Sequence, residues 1–136
     1  MEYVVGFLYD NDEKLVALIR KLKPIWQRNK LNGIGGKIEI GETPDQAIIR
    51  EFKEETGVEI NNWRKFCELN GDDFKVYFYS AKGDLSKLRS MEEEKVEICS
   101  ISLVSMLPVI PNLNWLIPLG IDQYNTGGYL FENIKF

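Results

Sequence analysis

Two apolar runs near the start of the chain, rich in β-branched and aromatic residues, predict a pair of strands. The first run covers residues 3–9 and the second covers residues 15–20. The polar sequence Asp10-Asn11-Asp12 between them is typical of a turn, so the two runs are expected to form a β-hairpin. Residues 21–30 are mostly polar and contain Pro24, which indicates a loop.

The clearest helix signal begins at Thr43. Thr43 is suited to the N-cap, Pro44 to the first helical position, and Gln46 to the position where a capping box takes Glu or Gln. The predicted helix runs to about residue 56. Gly57 then supplies the left-handed residue that commonly ends a helix.

The rest of the chain predicts more strands and a second helix. Residues 31–40 are expected to form short extended segments, residues 63–69 and 74–80 a second hairpin, residues 95–101 and 129–134 further strands, and residues 112–124 a helix interrupted by Pro118. Strands before and after one strong helix predict an α/β fold class, with a mixed β-sheet and helices on its faces. No repeat or linker divides residues 1–136, so a single domain is expected.

Composition narrows the function classes. The net charge of −4 argues against a duplex nucleic-acid partner, because such surfaces are usually basic. No apolar run approaches the ~20 residues of a membrane span, and the first residues lack a basic targeting region, so a cytoplasmic protein without a membrane partner is expected. The chain has no histidine, and Cys67 and Cys99 are far apart. We therefore expect reduced thiols and no Cys/His zinc site.

Three glutamates share one face of the predicted helix. Each helical residue advances by about 100°, so Glu51, Glu54 and Glu55 lie together beside the apolar positions Ile48 and Phe52. Like charges at this spacing repel one another by a few tenths of a kcal/mol. Carboxylates without histidine or cysteine suit Mg²⁺ or Mn²⁺. Taken alone, however, the same pattern is typical of a solvated, Glu-rich helix face.

A longer pattern distinguishes these two interpretations. The sequence fits G-x5-E-x7-R-E-U-x-E-E-x-G-U, where U is a bulky apolar residue. The matching residues are Gly36, Glu42, Arg50, Glu51, Phe52, Glu54, Glu55, Gly57 and Val58. Chance agreement at the seven positions of fixed type is on the order of 10⁻⁸ per window. This segment resembles the signature of the Nudix hydrolase family, with Phe52 where that family prefers an aliphatic residue.

The resemblance implies a Nudix-type α/β/α sandwich in which the signature forms a loop-helix-loop. It also implies hydrolysis of a nucleoside diphosphate derivative with Mg²⁺, for which Mn²⁺ can substitute. Glu51, Glu54 and Glu55 correspond to metal ligands, and one of them, or a metal-bound hydroxide that they help to form, would be the base that activates water. The Gly36 carbonyl would be a further ligand, and Arg50 would orient the glutamates.

The same resemblance implies roles for two other glutamates. Glu42 is expected to be structural and to tie the loop to the helix. Many relatives use another glutamate from a later loop, and Glu94, in a run of acidic residues just before a predicted strand, is the residue chosen here as an additional metal ligand. The alternative interpretation of Glu94 is a solvated loop charge.

The substrate residues depend on a resemblance to the MutT-like, nucleoside triphosphate branch of the family. Asn32 and Asn112 correspond to base-reading positions and Trp26 to an aromatic of the base pocket. Lys37, in the glycine-rich stretch, is expected to contact phosphate. The alternatives are packing for Trp26, and turn and cap roles for the two asparagines. Trp115 is expected in the core.

The preferred substrate is accordingly a (d)NTP, including oxidised purines such as 8-oxo-dGTP, cleaved to a monophosphate and pyrophosphate. Some relatives carry a paired Asp where this chain has Asn112 and Leu113. Dinucleoside polyphosphates, ADP-ribose, or binding without catalysis by a Nudix-fold sensor are the alternatives. The protein is expected to be a monomer or a homodimer.

Overall fold

A single mixed β-sheet forms the centre of the computed structural model, which describes residues 1–127 and the backbone of residues 132–135. The described strands are β1 (Glu2–Tyr9), β2 (Leu15–Arg20), β3 (Leu31–Asn32), β4 (Ile34–Lys37), β5 (Arg64–Asn70), β6 (Lys75–Lys82), β7 (Lys95–Ser100) and β8 (Glu132–Lys135). The helices are α1 (Pro44–Thr56) and α2 (Leu113–Thr126), and short 3₁₀ helices cover Ile25–Gln27 and Ile101–Met106.

The sheet combines parallel and antiparallel pairing, as the sequence predicts. Its order is β3-β2-β1-β6-β5-β8, with β4 paired to β1 and β7 paired to β2. The pairs β1–β6 and β5–β8 are parallel, and the other named pairs are antiparallel. The end of β1 pairs with β2, whereas its first half pairs with β4. This division places β4 directly beneath α1.

The two helices cover opposite faces of the sheet. Side chains alternate between faces along a strand, so Val4 of β1 packs with Ile48 of α1, whereas Phe7 packs with Leu116 of α2. The α/β/α sandwich is therefore confirmed. Between the layers, α1 buries Phe52 at the sheet surface. Lys53 and Glu54 of α1 are exposed.

Local interactions fix both ends of α1. The Thr43 hydroxyl accepts from the Gln46 amide at 3.1 Å, and the Gln46 side chain accepts from the Thr43 amide at 3.0 Å. Gly57 ends the helix in the left-handed region, with φ of 79°, and its N–H bonds to the Lys53 carbonyl. An N-cap of this kind contributes about 1 kcal/mol, and it sets the rotation of the glutamates about the helix axis.

Several element bounds differ from expectation. The strand predicted at 95–101 ends at Ser100, because Ile101 begins a 3₁₀ helix. The second helix starts at Leu113 and continues past Pro118 to Thr126. The last strand is described only over Glu132–Lys135, and residues 129–131 lie outside the described part of the chain.

The structure also describes the two cysteines and the length and polarity of the helices. Cys67 and Cys99 are buried thiols, as expected. In the part of the chain that the structure describes, no helix is both long enough and apolar enough to cross a bilayer.

Candidate active site

The backbone of β4 lies against a carboxylate of α1. A Cβ built on Gly36 would stand 2.5 Å from Glu51 Cδ and 2.6 Å from both carboxylate oxygens. A side chain at position 36 would therefore displace the carboxylate. Gly35 approaches the Val4 backbone still more closely, so a Cβ there would collide with the Val4 carbonyl. These glycines therefore allow a close backbone approach.

Arg50 is the centre of the ion-pair network. Its Nε and Nη2 donate to the two oxygens of Glu42 at 2.6 and 2.8 Å. Its Nη1 donates to Glu51 at 2.9 Å and to Glu54 at 3.2 Å, and Nη2 also donates to the Lys37 carbonyl at 3.0 Å. Such a fork fixes several carboxylates in one arrangement. The orienting role expected for Arg50 stays a prediction, and these hydrogen bonds support it.

Glu42 ties the signature loop to the helix. It accepts the Arg50 fork and also the Glu39 amide, at 3.1 Å, and its side chain is only 13% exposed. The hydrogen bond from Arg50 holds the pKa of Glu42 below its usual range and raises the pKa of Arg50 further above neutrality. The structural role predicted for Glu42 agrees with this placement.

Glu51 and Glu55 differ in whether a nearby positive charge offsets the burial of their carboxylates. Burial raises the pKa of Glu51, and Arg50 opposes the rise. Burial, followed by the charges of Glu51, Glu94 and Glu92, raises the pKa of Glu55 to about 7. In the described part of the chain, Glu55 Oε2 is buried and has no hydrogen-bond partner. An unpaired buried carboxylate oxygen is unfavourable, and a cation would relieve it.

This donor set fits a hard divalent cation. Carboxylate and carbonyl oxygens are the ligands that Mg²⁺ takes, and the site offers Glu51, Glu55 and the backbone beside Gly36. Among the described residues, no three acidic, histidine or cysteine side chains already form a metal cage. Glu54 accepts a hydrogen bond from Arg50 in this structure. The cation would thus need Glu54 to turn away from Arg50, or would bind without it.

Glu94 lies near the cluster, but its oxygens are engaged elsewhere. Oε1 accepts from Lys21 Nζ at 3.0 Å, and Oε2 accepts from the Leu22 amide at 2.6 Å. The charge of Glu94 reaches Glu55, since it contributes to the raised pKa of that residue. The interpretation of Glu94 as a solvated loop charge is wrong. Its role as a metal ligand stays a prediction.

Sequence analysis did not identify Lys21 as part of this site. The antiparallel register of β2 and β7 pairs Arg20 with Lys95, so Lys21 and Glu94 follow as the next opposed residues. The sequence shows only that Lys21 is a charged residue directly after a predicted strand. That position indicates a site residue only once β7 is known to be the neighbour of β2.

Asn32 and Trp26 lie close in the chain but in different environments. Asn32 Oδ1 accepts from the Gly33 amide at 2.8 Å, and its Nδ2 donates to Gln27 at 3.2 Å. Asn32 lies in β3 and pairs with Ile19 of β2, so the turn alternative is wrong. Trp26 is 62% exposed on its 3₁₀ turn, so the packing alternative is wrong. Lys37 is exposed at the end of β4.

Asn112 is brought to the same edge of the sheet by backbone pairing. The Ile110 amide donates to the Leu31 carbonyl at 2.9 Å, which joins the segment before α2 to β3. Asn112 takes the N-cap position of α2, as the cap alternative expects, but its side chain makes no cap bond. Its Oδ1 is buried and has no partner in the described chain. Trp115 is 39% exposed, contrary to the expected core position.

Two proteins of known activity are similar in sequence to parts of this chain. The chain is 36% identical over 69 residues to the 8-oxo-dGTP diphosphatase of Escherichia coli K12, a match of 51% of this chain and 53% of that protein. It is 54% identical over 33 residues to the NAD-capped RNA hydrolase NudC of Vibrio vulnificus, and this match covers 24% of this chain and 13% of that protein. The matched segments thus cover about half the length of the first relative and a much smaller part of the second.

Solved structures agree in fold at lower identity. A MutT structure from work on the Aliivibrio salmonicida and Vibrio cholerae proteins superposes with a TM-score of 0.76 at 20% identity, covering 90% of this chain and 97% of that one. The NUDIX domain of Shewanella oneidensis NrtR, complexed with ADP ribose, gives 0.78 at 16% identity, covering 91% and 88%. The model of the NUDIX domain matches residues 2–115, and the chain therefore belongs to the NUDIX family.

Proposed function

We propose that this protein hydrolyses a nucleoside triphosphate to a nucleoside monophosphate and pyrophosphate, with Mg²⁺ held at the α1 carboxylates. The observation that carries the proposal is the buried, unpartnered Oε2 of Glu55, next to a Glu51 carboxylate that Gly36 and Arg50 hold in place. Burial and the neighbouring carboxylates make this arrangement electrostatically unfavourable. A bound divalent cation would make it favourable.

Each residue has a separate task in the reaction. Glu51, Glu55 and the Gly36 carbonyl would hold the cation, joined by Glu54 when it leaves Arg50. When bound, the cation neutralises phosphate charge and promotes deprotonation of the attacking water. One of the three carboxylates accepts the proton of that water. The oxygen of the water forms a bond to phosphorus, the anhydride P–O bond breaks, and pyrophosphate departs with its electron pair.

The substrate base is assigned to the edge formed by β3 and the start of α2. Asn112 supports this assignment because its amide oxygen is buried without a partner, and an amide can pair with a purine edge. Trp26 supplies an exposed aromatic face on which a base can stack. The E. coli relative supports an oxidised purine such as 8-oxo-dGTP as the first candidate. Lys37, exposed at the end of β4, is assigned to the phosphates.

The proposal is tested by a Mg²⁺ assay against a panel of nucleotides, with products separated by chromatography. The panel contains standard and oxidised (d)NTPs, dinucleoside polyphosphates, ADP-ribose, NADH and capped RNA. Turnover of a triphosphate to monophosphate and pyrophosphate supports the proposal. Preference for a dinucleotide or a sugar nucleotide retains the metal site and contradicts the assigned base pocket. Nucleotide binding without any product would instead identify a sensor.

A further inference from the structure

Lys21 and Glu94 form an ion pair next to the α1 carboxylates. Their Nζ and Oε1 atoms are 3.0 Å apart, and their side chains are 20% and 16% exposed. The second oxygen of Glu94 accepts from the amides of Leu22 and Lys23, at 2.6 and 3.4 Å. Burial opposes ionisation of Glu94, but these hydrogen bonds hold its pKa below the usual range. Both oxygens therefore bind the chain that follows β2.

That chain, residues 21–30, forms a closed loop. The Lys21 amide donates to the Lys30 carbonyl at 2.9 Å, and the Asn29 amide donates to the Lys21 carbonyl at 2.8 Å. The tip of the loop presents Trp26, and Gln27 accepts from Asn32. Residues assigned to the base are therefore carried by, or bonded to, the loop that Glu94 holds.

The other side of Glu94 is connected to the metal helix. The Met91 amide donates to the Glu55 carbonyl at 3.0 Å, and the Arg89 amide donates to the Thr56 carbonyl at 3.0 Å. Residues 89–91 are thus fixed to the end of α1, three residues before Glu94. Glu94 stands between the helix that carries the carboxylates and the loop that carries Trp26.

From these contacts we propose that Glu94 is a positioning residue, which together with Lys21 fixes the 21–30 loop relative to α1, and is not a ligand of the metal. The inference rests on the proposed function in one respect only, which is that the 21–30 loop contacts the base of a nucleotide. Turning Glu94 towards a cation would leave the Lys21 ammonium and the Leu22 amide without their partner. Separating such a part-buried pair is costly.

Amide exchange and metal binding test this role without requiring turnover. Hydrogen exchange at Leu22 and Lys23 is measured by NMR in the wild type, Glu94→Ala and Glu94→Gln. Mn²⁺ binding by the same proteins, without nucleotide, is measured by electron paramagnetic resonance. Glu93→Gln is the matched control, because Glu93 is an exposed neighbour in the same loop. Lys21→Met tests the ion pair separately.

For a positioning residue, exchange at Leu22 accelerates about tenfold or more in Glu94→Ala. Mn²⁺ affinity in Glu94→Gln stays within about threefold of the wild type, since the loss of a ligand would cost more. With a nucleotide substrate, Lys21→Met raises KM more than it lowers kcat. Mn²⁺ binding weakened about tenfold or more in Glu94→Gln, or unchanged exchange at Leu22 in Glu94→Ala, overturns the inference. Both outcomes are readable even if the protein hydrolyses nothing, so failure of the inference is distinguishable from failure of the proposed function.

Discussion

The carboxylate of Glu51 occupies the space where a side chain at position 36 would begin, 2.5 Å from a Cβ built on Gly36. The backbone of β4 and a side chain from the middle of α1 are thus in close contact. This relationship makes position 36 a direct test of the site.

Gly36→Ala should inactivate the protein without unfolding it. The added methyl group displaces the Glu51 carboxylate, and a displacement of about 1 Å can cost on the order of 100-fold in rate. The measurement is kcat/KM together with the melting temperature. Gly83→Ala is the control, because its Cβ would meet Leu8 at an ordinary 3.6 Å. Equal activity of the two variants would contradict the placement of Glu51.

Glu55→Gln should stabilise the metal-free protein at high pH. The pKa of Glu55 is about 7 in the folded state, above its usual value of 4.5. The unfolded state therefore binds fewer protons between these values, so the stability of the wild type falls as pH rises from about 4.5 towards 7 and then levels off. The glutamine side chain of the variant does not titrate, so the variant does not lose this stability. Melting temperatures of both proteins, measured in EDTA from about pH 5 to pH 8, test the expected difference.

Mg²⁺ provides the internal control for that experiment. A cation that binds only the folded state stabilises the wild type by mass action, and the variant lacks one of its ligands. At about pH 8, Mg²⁺ should reverse the order of the two melting temperatures. A stability difference independent of both pH and Mg²⁺ would contradict the role of Glu55.

Arg50→Lys should weaken both stability and activity. A lysine cannot donate to Glu42, Glu51 and Glu54 in one fork. With Glu42 and Glu51 only 13% exposed, we expect a loss of about 2 kcal/mol in the free energy of unfolding, measured with urea. The pairing is tested by a double-mutant cycle with Glu42→Gln. Additive effects in that cycle would mean that the two residues act independently.

Asn112→Leu should separate binding from folding. The amide oxygen of Asn112 has no partner in the described chain, so an apolar residue of similar size leaves the melting temperature unchanged or raises it. Nucleotide affinity should fall about tenfold. Asn114→Ala is the control, since Asn114 is exposed and its side chain donates to the nearby Pro111 carbonyl. A loss of stability without loss of affinity would contradict the base-reading role.

Trp26→Ala should raise KM without affecting stability. The indole is 62% exposed, and stacking on a base contributes about 1–3 kcal/mol. An increase in KM of about tenfold is expected, with the melting temperature unchanged. Ile25→Ala is the matched control, since Ile25 is 86% exposed on the same turn. Equal effects of the two variants would indicate a general property of the loop and not stacking.

The parts of the fold that local chemistry determines could be predicted from the sequence. The capping box of Thr43 and Gln46, the stop at Gly57 and the buried face of α1 depend on residues within a few positions of one another. The pairing of Arg50 with Glu54 is local in the same way. Rules of spacing are therefore sufficient for the helix and for its carboxylate face.

The remaining contacts depend on long-range register. Arg50 also binds Glu42, which requires the loop conformation before α1. Lys21 meets Glu94 only because β7 pairs with β2. Asn112 adopts helical backbone angles, with φ of −67° and ψ of −14°, and not the extended ones typical of a cap. Sequence spacing alone carries no information about these arrangements.

The most direct test of the central claim compares Glu55→Gln with the wild type on the best triphosphate of the panel, with and without Mg²⁺. The account predicts that only the wild type with Mg²⁺ releases pyrophosphate, that the variant is slower by about 1,000-fold or more, and that both bind nucleotide with similar affinity. Hydrolysis by Glu55→Gln within about tenfold of the wild type, or equal turnover in EDTA, would contradict it.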